Sequence, residues 1–264
     1  MIGAIFGDIV GSVHEHAATT TTDFSLLTTG SRFTDDTVLT IATAEALLSG
    51  EPYDRVYRSW GNRYPRAGYG RAFKNWLRDD TLGPYQSWGN GSAMRVSPVA
   101  WAFDTEDAVL AEAELSAAVT HDHPEGIKGA QAAALAVFLA RSQTDKRQIR
   151  QRVAARFGYD LSRSIEEIRP RYRFDVSCQG SVPEALIAFL DTEDLESAVR
   201  TAVSLGGDAD TQAAIAGAAA AAYAGGVSPQ VRSDVRSRLP QEMLEVLDAF
   251  ETRFPQTAGD QWRA

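Results

Sequence analysis

Helical periodicity runs through most of this sequence and favours the all-α fold class. In residues 36–48, apolar side chains recur at the three- and four-residue spacing that forms one face of a helix. The alternation typical of strands is scarce, and the best candidate for a strand is the short segment YRFDV at 172–176. The helical pattern also predicts helices at 105–119, 127–141, 144–157, 183–190, 194–204, 210–223, 228–238 and 240–253.

The sequence shows no division into several domains. It contains no Gly/Ser-rich or Pro-rich linker and no repeat of about 20–50 residues, so we expect residues 1–264 to form a single domain. Some segments between the predicted helices are long for connectors, and long ordered loops in a compact helical domain are usually functional. These segments are 11–33, 61–70, 79–97 and 170–182.

Charge and cysteine content restrict the partners and the compartment. The net charge of −9 argues against a protein that grips a nucleic-acid backbone, which normally needs a basic surface. Cys178 is the single cysteine, so no disulfide can form within the chain, and a cytoplasmic location is expected. The start, MIGAIFGDIVG, has no basic n-region and carries Asp8 in its middle, so it is a poor signal peptide. No run of about 18 apolar residues predicts a membrane span.

Two adjacent carboxylates stand at the predicted start of the helix over 36–48. The segment RFTDDTVLTI places Asp35 and Asp36 between two threonines, immediately before an apolar run. Capping is the simpler interpretation, because a Thr or Asp side chain at a helix start accepts a backbone N–H and acidic residues suit the helix dipole. A ligand site is the alternative, and the rest of the chain must decide between them.

A second acidic segment, about 170 residues downstream, has nearly the same chemistry. SLGGDADTQAAIAG places Asp208, Asp210 and Thr211 in a Gly-rich turn at the head of an Ala-rich helix. Ligand sets made of oxygen alone suit hard ions such as Mg²⁺, Mn²⁺ or Ca²⁺, and converging carboxylates would repel one another without them. The two motifs together therefore predict a site for two divalent cations, with two independent helix caps as the alternative.

The segment SWGNGSAMRVSP contains a loop of small residues, Gly89 to Ser92, that leads into an apolar stretch. Successive backbone N–H groups in such a loop can cradle a phosphate. Gly-Asn-Gly is also an ordinary turn sequence, so this pattern alone leaves both interpretations open.

Acidic and histidine side chains in two further loops can also reach a ligand. Glu15 precedes a polar, Thr-rich stretch, whereas Asp8 is expected to cap or brace another element. His121 and His123 in THDHPEG are two residues apart, so they would not share a helix face. We expect them to hydrogen-bond a ligand rather than to bind zinc as a pair.

Six segments together resemble the ADP-ribosylglycohydrolase family, in the family's order and over residues 2–226. They are GAIFGDIVGSVHE, FTDDTVLT, GNGSAMRVSP, THDHPEGIKGAQA, FDVSCQGSVPEAL and SLGGDADTQAAIAG. The resemblance implies an all-α orthogonal helical bundle with a central cleft that holds two Mg²⁺ or Mn²⁺ ions. GGDADT stands where many relatives have GGDSDT, and the side chain at Ala209 is not a ligand in that pattern.

The resemblance also assigns expected roles to individual residues. Glu15 matches a mobile glutamate that covers the metals and aids catalysis, and Glu15 and Asp36 are the candidates for the general base. His121 matches a histidine that contacts the ligand, Val176 matches a segment on the adenosine side, and Asp35 is also expected to contact the substrate. The metal-binding motifs correspond to Thr34, Asp35, Asp36, Asp208, Asp210 and Thr211, and the diphosphate-binding loop to Gly89, Asn90, Gly91, Ser92, Ala93 and Met94.

The implied activity is metal-dependent hydrolysis of the glycosidic bond between ADP-ribose and an acceptor. The expected substrate is an ADP-ribosylated protein or a small ADP-ribose conjugate, and the enzyme is expected to be a monomer. A non-catalytic binding or structural protein and a two-metal phosphohydrolase acting on a nucleotide diphosphate remain alternatives. The acceptor stays open between arginine, serine, a nucleic-acid base and an O-acetyl group.

Adenine and the acceptor must lie against side chains that the sequence does not single out. Trp88, Tyr69 or Phe73 can stack on adenine, although core or loop packing is the favoured interpretation for all three. The acceptor is expected to lie against loops 16–31 and 61–86, where Tyr64, Tyr69 and Arg71 either line the pocket or pack.

Overall fold

The computed structural model describes residues 1–255, and the regular secondary structure of this part is helical. No strand forms within these residues, and a single isolated antiparallel bridge joins Gly89 to Ser177. The helices are α1 (Ile2–Gly11), α2 (Asp35–Ser49), α3 (Tyr53–Arg63), α4 (Arg71–Arg78), α5 (Gly91–Met94), α6 (Val99–Ala102), α7 (Glu106–Ala118), α8 (Pro124–Arg141), α9 (Lys146–Phe157), α10 (Ile165–Ile168), α11 (Cys178–Leu190), α12 (Leu195–Val203), α13 (Ala209–Tyr223), α14 (Pro229–Arg236) and α15 (Gln241–Arg253).

Every helix predicted from periodicity is present, which confirms the all-α class. Their ends follow local chemistry: the Thr105 side chain caps α7, and Gly158 ends α9 in the left-handed conformation that glycine adopts readily, with φ of 70°. The largest boundary difference is at α11, which begins at Cys178 because the side chain of Ser177 accepts the N–H of Gly180 at 3.0 Å.

The best candidate for a strand, residues 172–176, does not form one. These residues are irregular. The hydroxyl of Tyr172 donates to the carbonyl of Gly180 at 2.9 Å, and the backbone meets another loop at the end of the segment. There, the N–H of Asn90 donates to the carbonyl of Val176 at 2.8 Å, and the N–H of Cys178 donates to the carbonyl of Trp88 at 2.9 Å. An alternating pattern needs a partner strand to satisfy its backbone, and the segment has none within the described part of the chain.

Helix α1 packs directly on α13, and small residues permit a very close approach. All ten residues of α1 are buried. Glycine recurs every fourth residue, so Gly3, Gly7 and Gly11 share one face of the helix. A Cβ at Gly7 would overlap the carbonyl of Ala213, and one at Gly11 would overlap the backbone of Asp210. The glycine face therefore sets Asp210 against the C-terminal end of α1.

Asp8 ties the same helix to the start of α2. Its carboxylate accepts hydrogen bonds from Thr34 N at 2.9 Å, Thr34 Oγ1 at 2.7 Å, Thr37 N at 3.1 Å and the hydroxyl of Thr37. Asp8 is fully buried, so these bonds are shielded from water. The prediction that Asp8 caps or braces another element is confirmed: it braces the helix that carries Asp35 and Asp36.

The core is one continuous cluster that extends from Met1 to Phe250. At its centre, α13 packs against α1, α8, α11 and α12, and only Tyr223 of its residues is not fully buried. Its run of alanines gives close helix contacts without bulky side chains. Among the residues that the structure describes, no helix is long and apolar enough to cross a membrane.

Candidate active site

A cavity of about 320 Å³ lies where the start of α2, the start of α13 and the loop before α5 converge. It gathers residues from distant parts of the chain, and most of the predicted site residues are on its wall. These are Glu15, Asp35, Asp36, Gly89, Asn90, Gly91, Met94, His121, Val176, Asp208, Asp210 and Thr211.

The two acidic motifs meet in this cavity. Thr211 Oγ1 donates to Asp36 Oδ1 at 3.3 Å, which joins the second motif to the first. Glu15, Asp208 and Asp210 each offer a carboxylate oxygen, and these three atoms lie within 4.8 Å of one another. The Oδ2 atom of Asp36 is buried and has no hydrogen-bond partner among the described residues. The acids are therefore close together and incompletely satisfied by the protein.

Burial and mutual repulsion raise the pKa of these carboxyl groups. Burial and then the negative charge of Asp210 hold the pKa of Asp36 well above its usual range, and burial and then Asp208 do the same to the pKa of Asp210. Burial and then Asp8 raise the pKa of Asp35 to about 8. A cation in the cavity would stabilise the ionised forms of all these groups.

The capping interpretation holds for one motif and fails for the other. Thr34 caps α2, because its hydroxyl oxygen accepts the N–H of Asp36 at 3.3 Å. Asp208 occupies the N-cap position of α13, yet its side chain makes no capping bond and its Oδ2 accepts instead from Asn90 Nδ2 at 2.7 Å. The hydroxyl of Thr34 also donates to Asp8, and Thr34 is not on the cavity wall.

The loop before α5 presents one of its amides to the cavity and uses others internally. The N–H of Gly89 donates to Ser87 Oγ at 3.2 Å, and the N–H of Asn90 donates to Val176. Gly91 and Ser92 open α5, and the first N–H groups of a helix have no partner within it. Gly91 lies on the cavity wall and Ser92 does not, so the amide of Gly91 is the one of these two that can reach a diphosphate.

Three other residues of the predicted loop differ in what they offer. The hydroxyl of Ser92 donates to the carbonyl of Gly126 at 2.7 Å, and neither Ser92 nor Ala93 lies on the cavity wall. Met94 does lie there, and its sulfur is 3.8 Å from Thr211 Oγ1. The side chains of Ser92 and Ala93 thus support the loop from behind.

His121 is buried at the same wall as a neutral imidazole. Burial, and then the charge of Arg95, holds its pKa well below the usual range. Arg95 donates to Thr120 Oγ1 at 3.0 Å, and Thr120 Oγ1 lies 2.8 Å from His121 Nδ1. Because the Thr120 hydroxyl can then donate to Nδ1, the arrangement favours the tautomer with its proton on Nε2, the atom nearest Gly91. His123 instead caps α8, since its Nδ1 accepts the N–H of Glu125 at 3.1 Å.

The aromatic candidates divide by position. Tyr69 is buried beneath the cavity rim and packs on Phe73, whose own side chain reaches the wall. Trp88 is half exposed but is not on the wall. Phe174, which the sequence patterns did not single out, is 54 % exposed and lines the cavity. In the sequence, the indication that Phe174 lies at the cavity was its position two residues before Val176 in the same extended segment.

The sequence model described as ADP-ribosylglycohydrolase matches residues 1–259. The chain belongs to the ADP-ribosylglycohydrolase family. A solved ADP-ribosylglycohydrolase-related protein complex has the same fold, with a TM-score of 0.72 and 25 % identity over 96 % of both chains.

Curated members of the ADP-ribosylglycohydrolase family are similar over most of their length. The human ADP-ribosylhydrolase ARH3 is 29 % identical in an alignment that covers 85 % of this chain and 84 % of that protein. The mouse ARH3 is 28 % identical, in an alignment that covers 85 % of this chain and 82 % of that protein. ADP-ribosylarginine hydrolase Tri1 of Pseudomonas putida is 26 % identical, in an alignment that covers 87 % of this chain and 71 % of that protein. Family membership indicates that this chain is a hydrolase.

Proposed function

We propose that this protein is a metal-dependent hydrolase that cleaves the glycosidic bond between ADP-ribose and an acceptor, with residues 1–264 acting as one catalytic domain. The observation that carries the proposal is the convergence of Glu15, Asp208 and Asp210, with oxygen atoms within 4.8 Å, beside Asp36 in a cavity that also contains a small-residue loop. The named relatives act on ADP-ribosyl groups, which supports the same substrate class here.

The residues at the cavity fit a pair of divalent cations, Mg²⁺ or Mn²⁺. The donors are carboxylate and hydroxyl oxygens, which hard cations prefer. Asp36 Oδ2 is buried without a partner, and the acids raise one another's pKa, so bound positive charge would relieve both costs. The residues that would hold the ions are Asp35, Asp36, Asp208, Asp210 and Thr211, with Thr34 positioned behind them and Glu15 in front.

In the proposed reaction the chain orients the sugar, and one proton passes from the attacking water through a carboxylate to the acceptor atom, which departs with the electron pair of the broken bond. When bound, the metal ions would supply Lewis acidity that fixes the distal ribose and lowers the pKa of the attacking water. Positive charge develops at ribose C1 as the bond to the acceptor breaks, and nearby carboxylates stabilise it. Glu15 is half-buried and its pKa is raised by burial first, which suits a general base that accepts the proton of the water. Asp36 is the second candidate for this role.

The rest of ADP-ribose is held by the opposite wall. The N–H of Gly91 can donate to the diphosphate, and His121 Nε2 can add a neutral donor beside it. Phe174 and Val176 offer an apolar surface to the adenosine end. Asp35 reaches the cavity from the ribose side, where a carboxylate can accept from ribose hydroxyls.

The proposal also includes the location, the oligomeric state and the substrates of the protein. We infer a cytoplasmic enzyme that works as a monomer on an ADP-ribosylated protein or a small ADP-ribose conjugate. The cytoplasmic location is supported by the single cysteine, Cys178, which is buried in the structure. The net charge of −9 argues against direct nucleic-acid binding.

Product identification tests the activity. The protein is incubated with serine- and arginine-linked ADP-ribosyl peptides and with O-acetyl-ADP-ribose, in Mg²⁺, in Mn²⁺ or after chelation. We expect intact ADP-ribose to be released in the presence of metal and not after chelation. Release of AMP, with a phosphoribosyl group left on the acceptor, would instead identify a two-metal phosphohydrolase. Tight binding of ADP-ribose without any turnover would identify a non-catalytic binding protein.

A further inference from the structure

One segment next to the cavity has a charge opposite to that of the whole chain. Residues 55–78 contain seven Arg and Lys residues and no Asp or Glu, although the net charge is −9. Three of these cations are neutralised locally: Arg55 pairs with Glu51, Arg58 with Asp80 and Arg63 with Glu242. The remaining cations concentrate on α4 and on the loop before it.

Helix α4 carries three cations on one face, which we call the α4 basic face: Arg71, Lys74 and Arg78. Their spacing of three and seven residues places them on one side of the helix. Arg71 and Arg78 are exposed, and within residues 1–255 the side chains of all three take part in no ion pair or hydrogen bond. The aromatic residues Phe73 and Trp76 are buried on the opposite face. The helix thus presents charge to solvent and keeps its aromatic rings inside.

The α4 basic face begins at the cavity wall. Arg71 lines the cavity together with Gly68 and Gly70 of the preceding loop. That loop lies against Asp35, because a Cβ built at Gly68 would be 2.7 Å from Asp35 Oδ1. The α4 basic face extends away from the cavity from Arg71 to Arg78. This separation of seven residues corresponds to about 10 Å at the rise per residue of an α-helix. The carboxylates of the cavity lie at its start.

This position selects the part of a substrate that can reach the face. The ribose carbon that is cleaved must lie at the acids, whereas the diphosphate lies toward Gly91 and His121. The acceptor therefore leaves the cavity on the side of Asp35 and Arg71. Residues next to the modified side chain would then pass along α4.

We propose that the α4 basic face binds acidic residues that flank the modified side chain of a protein substrate. This inference rests on the proposed function and adds a class of acceptor to it. A nucleic-acid strand fits the face less well, because stacking on exposed aromatic rings contributes much of single-strand binding and the rings of Tyr69, Phe73 and Trp76 are buried. Three cations in a row suit three or four carboxylates on a short extended chain.

The test compares substrates that differ only in flanking charge. Short serine- and arginine-linked ADP-ribosyl peptides carry Glu, Gln or Lys on both sides of the modified residue. For the wild type we expect a higher kcat/KM for Glu-flanked than for Gln-flanked peptides, and Lys-flanked peptides should be poorest. The Lys74→Ala/Arg78→Ala double variant should lower the ratio of Glu- to Gln-flanked kcat/KM about three- to tenfold, because exposed ion pairs are individually weak.

A matched control removes the same charge elsewhere. Arg147→Ala/Arg156→Ala alters two exposed cations of α9, which contributes no residue to the cavity wall, and should leave the ratio unchanged. Raising the salt concentration from about 0.05 M to about 0.5 M should remove the preference in the wild type. A ratio that is the same in wild type and in the Lys74→Ala/Arg78→Ala variant would overturn the proposal.

A binding measurement separates this inference from the proposed function. The same peptides are labelled with fluorescein, and their binding to the chelated protein is measured by fluorescence anisotropy. Absence of ADP-ribose release from every peptide, including the Gln-flanked ones, would contradict the proposed function. Tighter binding of the Glu-flanked peptide that depends on Lys74 and Arg78 would still support the α4 basic face. A single-stranded DNA octamer is added as a competitor of the labelled peptide. If it competes more strongly than the unlabelled acidic peptide does, and if this competition requires Lys74 and Arg78, the inference is overturned in favour of nucleic acid.

Discussion

Thr211 Oγ1 donates a hydrogen bond to Asp36 Oδ1 at 3.3 Å, although 175 residues separate the two in the chain. Thr211 lies in the first turn of α13 and Asp36 in the first turn of α2, so the starts of two helices converge on one point. The positive ends of their dipoles favour the acids there, yet burial and repulsion still raise the pKa of Asp36 and of Asp210. Such an arrangement is more stable with bound cations.

Metal binding should therefore stabilise the fold. We expect Mn²⁺ or Mg²⁺ to raise the melting temperature of the chelated wild type, since a ligand at about 100 times its Kd adds about 2.7 kcal/mol to the free energy of unfolding. Asp208→Asn and Asp210→Asn should lose most of this shift, measured by circular dichroism. Glu193→Gln, at an exposed acid on the surface, should keep it. A full shift in either aspartate variant would contradict the assignment of the metal site.

The stability of the metal-free protein should fall as pH rises. Burial raises the pKa of Asp8 to about 6, and burial and then the charge of Asp8 raise that of Asp35 to about 8, from an ordinary value of 3.8. The folded state then binds these protons more tightly than the unfolded state, so their contribution is complete below about pH 4 and is lost as pH rises toward 8.

Urea unfolding in the presence of a chelator measures this effect. Between about pH 6 and about pH 9 we expect the free energy of unfolding to decrease. Added Mn²⁺ should remove the decrease, because the cation replaces the protons as the partner of the carboxylates. Asp35→Asn should flatten the profile of the metal-free protein. A metal-free wild type whose stability increases over this range would contradict the raised pKa values.

Asp8→Asn should weaken metal binding without touching the cavity. An amide offers one oxygen acceptor, so the four donors from Thr34 and Thr37 could not all be satisfied. We expect a loss of about 1–3 kcal/mol in the free energy of unfolding. Because Asp8 positions the start of α2, Mn²⁺ affinity measured by calorimetry should fall about 10- to 100-fold. Ser49→Ala, at the exposed end of the same helix, is the control, and unchanged Mn²⁺ affinity in Asp8→Asn would contradict a positioning role.

Local chemistry explains what could be predicted from the sequence. Helices with one buried apolar face, such as α12 and α15, show their period directly, and the acidic motifs stand at the starts of α2 and α13. Helix α1 is buried on every side, so its apolar sequence, interrupted only by Asp8, carries no signal of a polar face. In α4, Phe73, Trp76 and Leu77 have helical spacing, but eight residues are too few for the pattern to stand out among loop residues.

Long-range contacts explain what could not be predicted. The content of the acidic motifs indicated oxygen ligands, but only the packing of α1 on α13 brings Asp210 to Asp36. The amides of Gly89 and Asn90 are engaged by Ser87 and Val176, and no local rule identifies those partners. For the same reason the position of Phe174 at the cavity was not foreseen, because an irregular segment has no period.

Gly7→Ala tests the close approach of α1 and α13. The added methyl group would overlap the backbone carbonyl of Ala213, so the helices must separate. We expect a destabilisation of about 1–3 kcal/mol or more, together with weaker Mn²⁺ binding, since Asp210 lies on the displaced helix. Gly70→Ala, at a position with open space around the built Cβ, is a control for stability. Equal unfolding free energies for the two variants would contradict the packing argument.

Glu15→Gln tests the proposed proton transfer. Glutamine has nearly the same size but cannot accept a proton, so kcat for ADP-ribose release should fall about 10²- to 10⁴-fold, whereas ADP-ribose binding by calorimetry should change little. Because the pKa of Glu15 is raised, the acidic limb of the wild-type pH profile should report its ionisation and should be absent in the variant. His16→Gln, at the exposed neighbour that lies 3.6 Å from the Glu15 carboxylate, controls for disturbance of the loop and should retain turnover. If Glu15→Gln keeps wild-type turnover, the base must be sought at Asp36, whose Oδ1 already accepts from Thr211 and whose Oδ2 has no partner within residues 1–255.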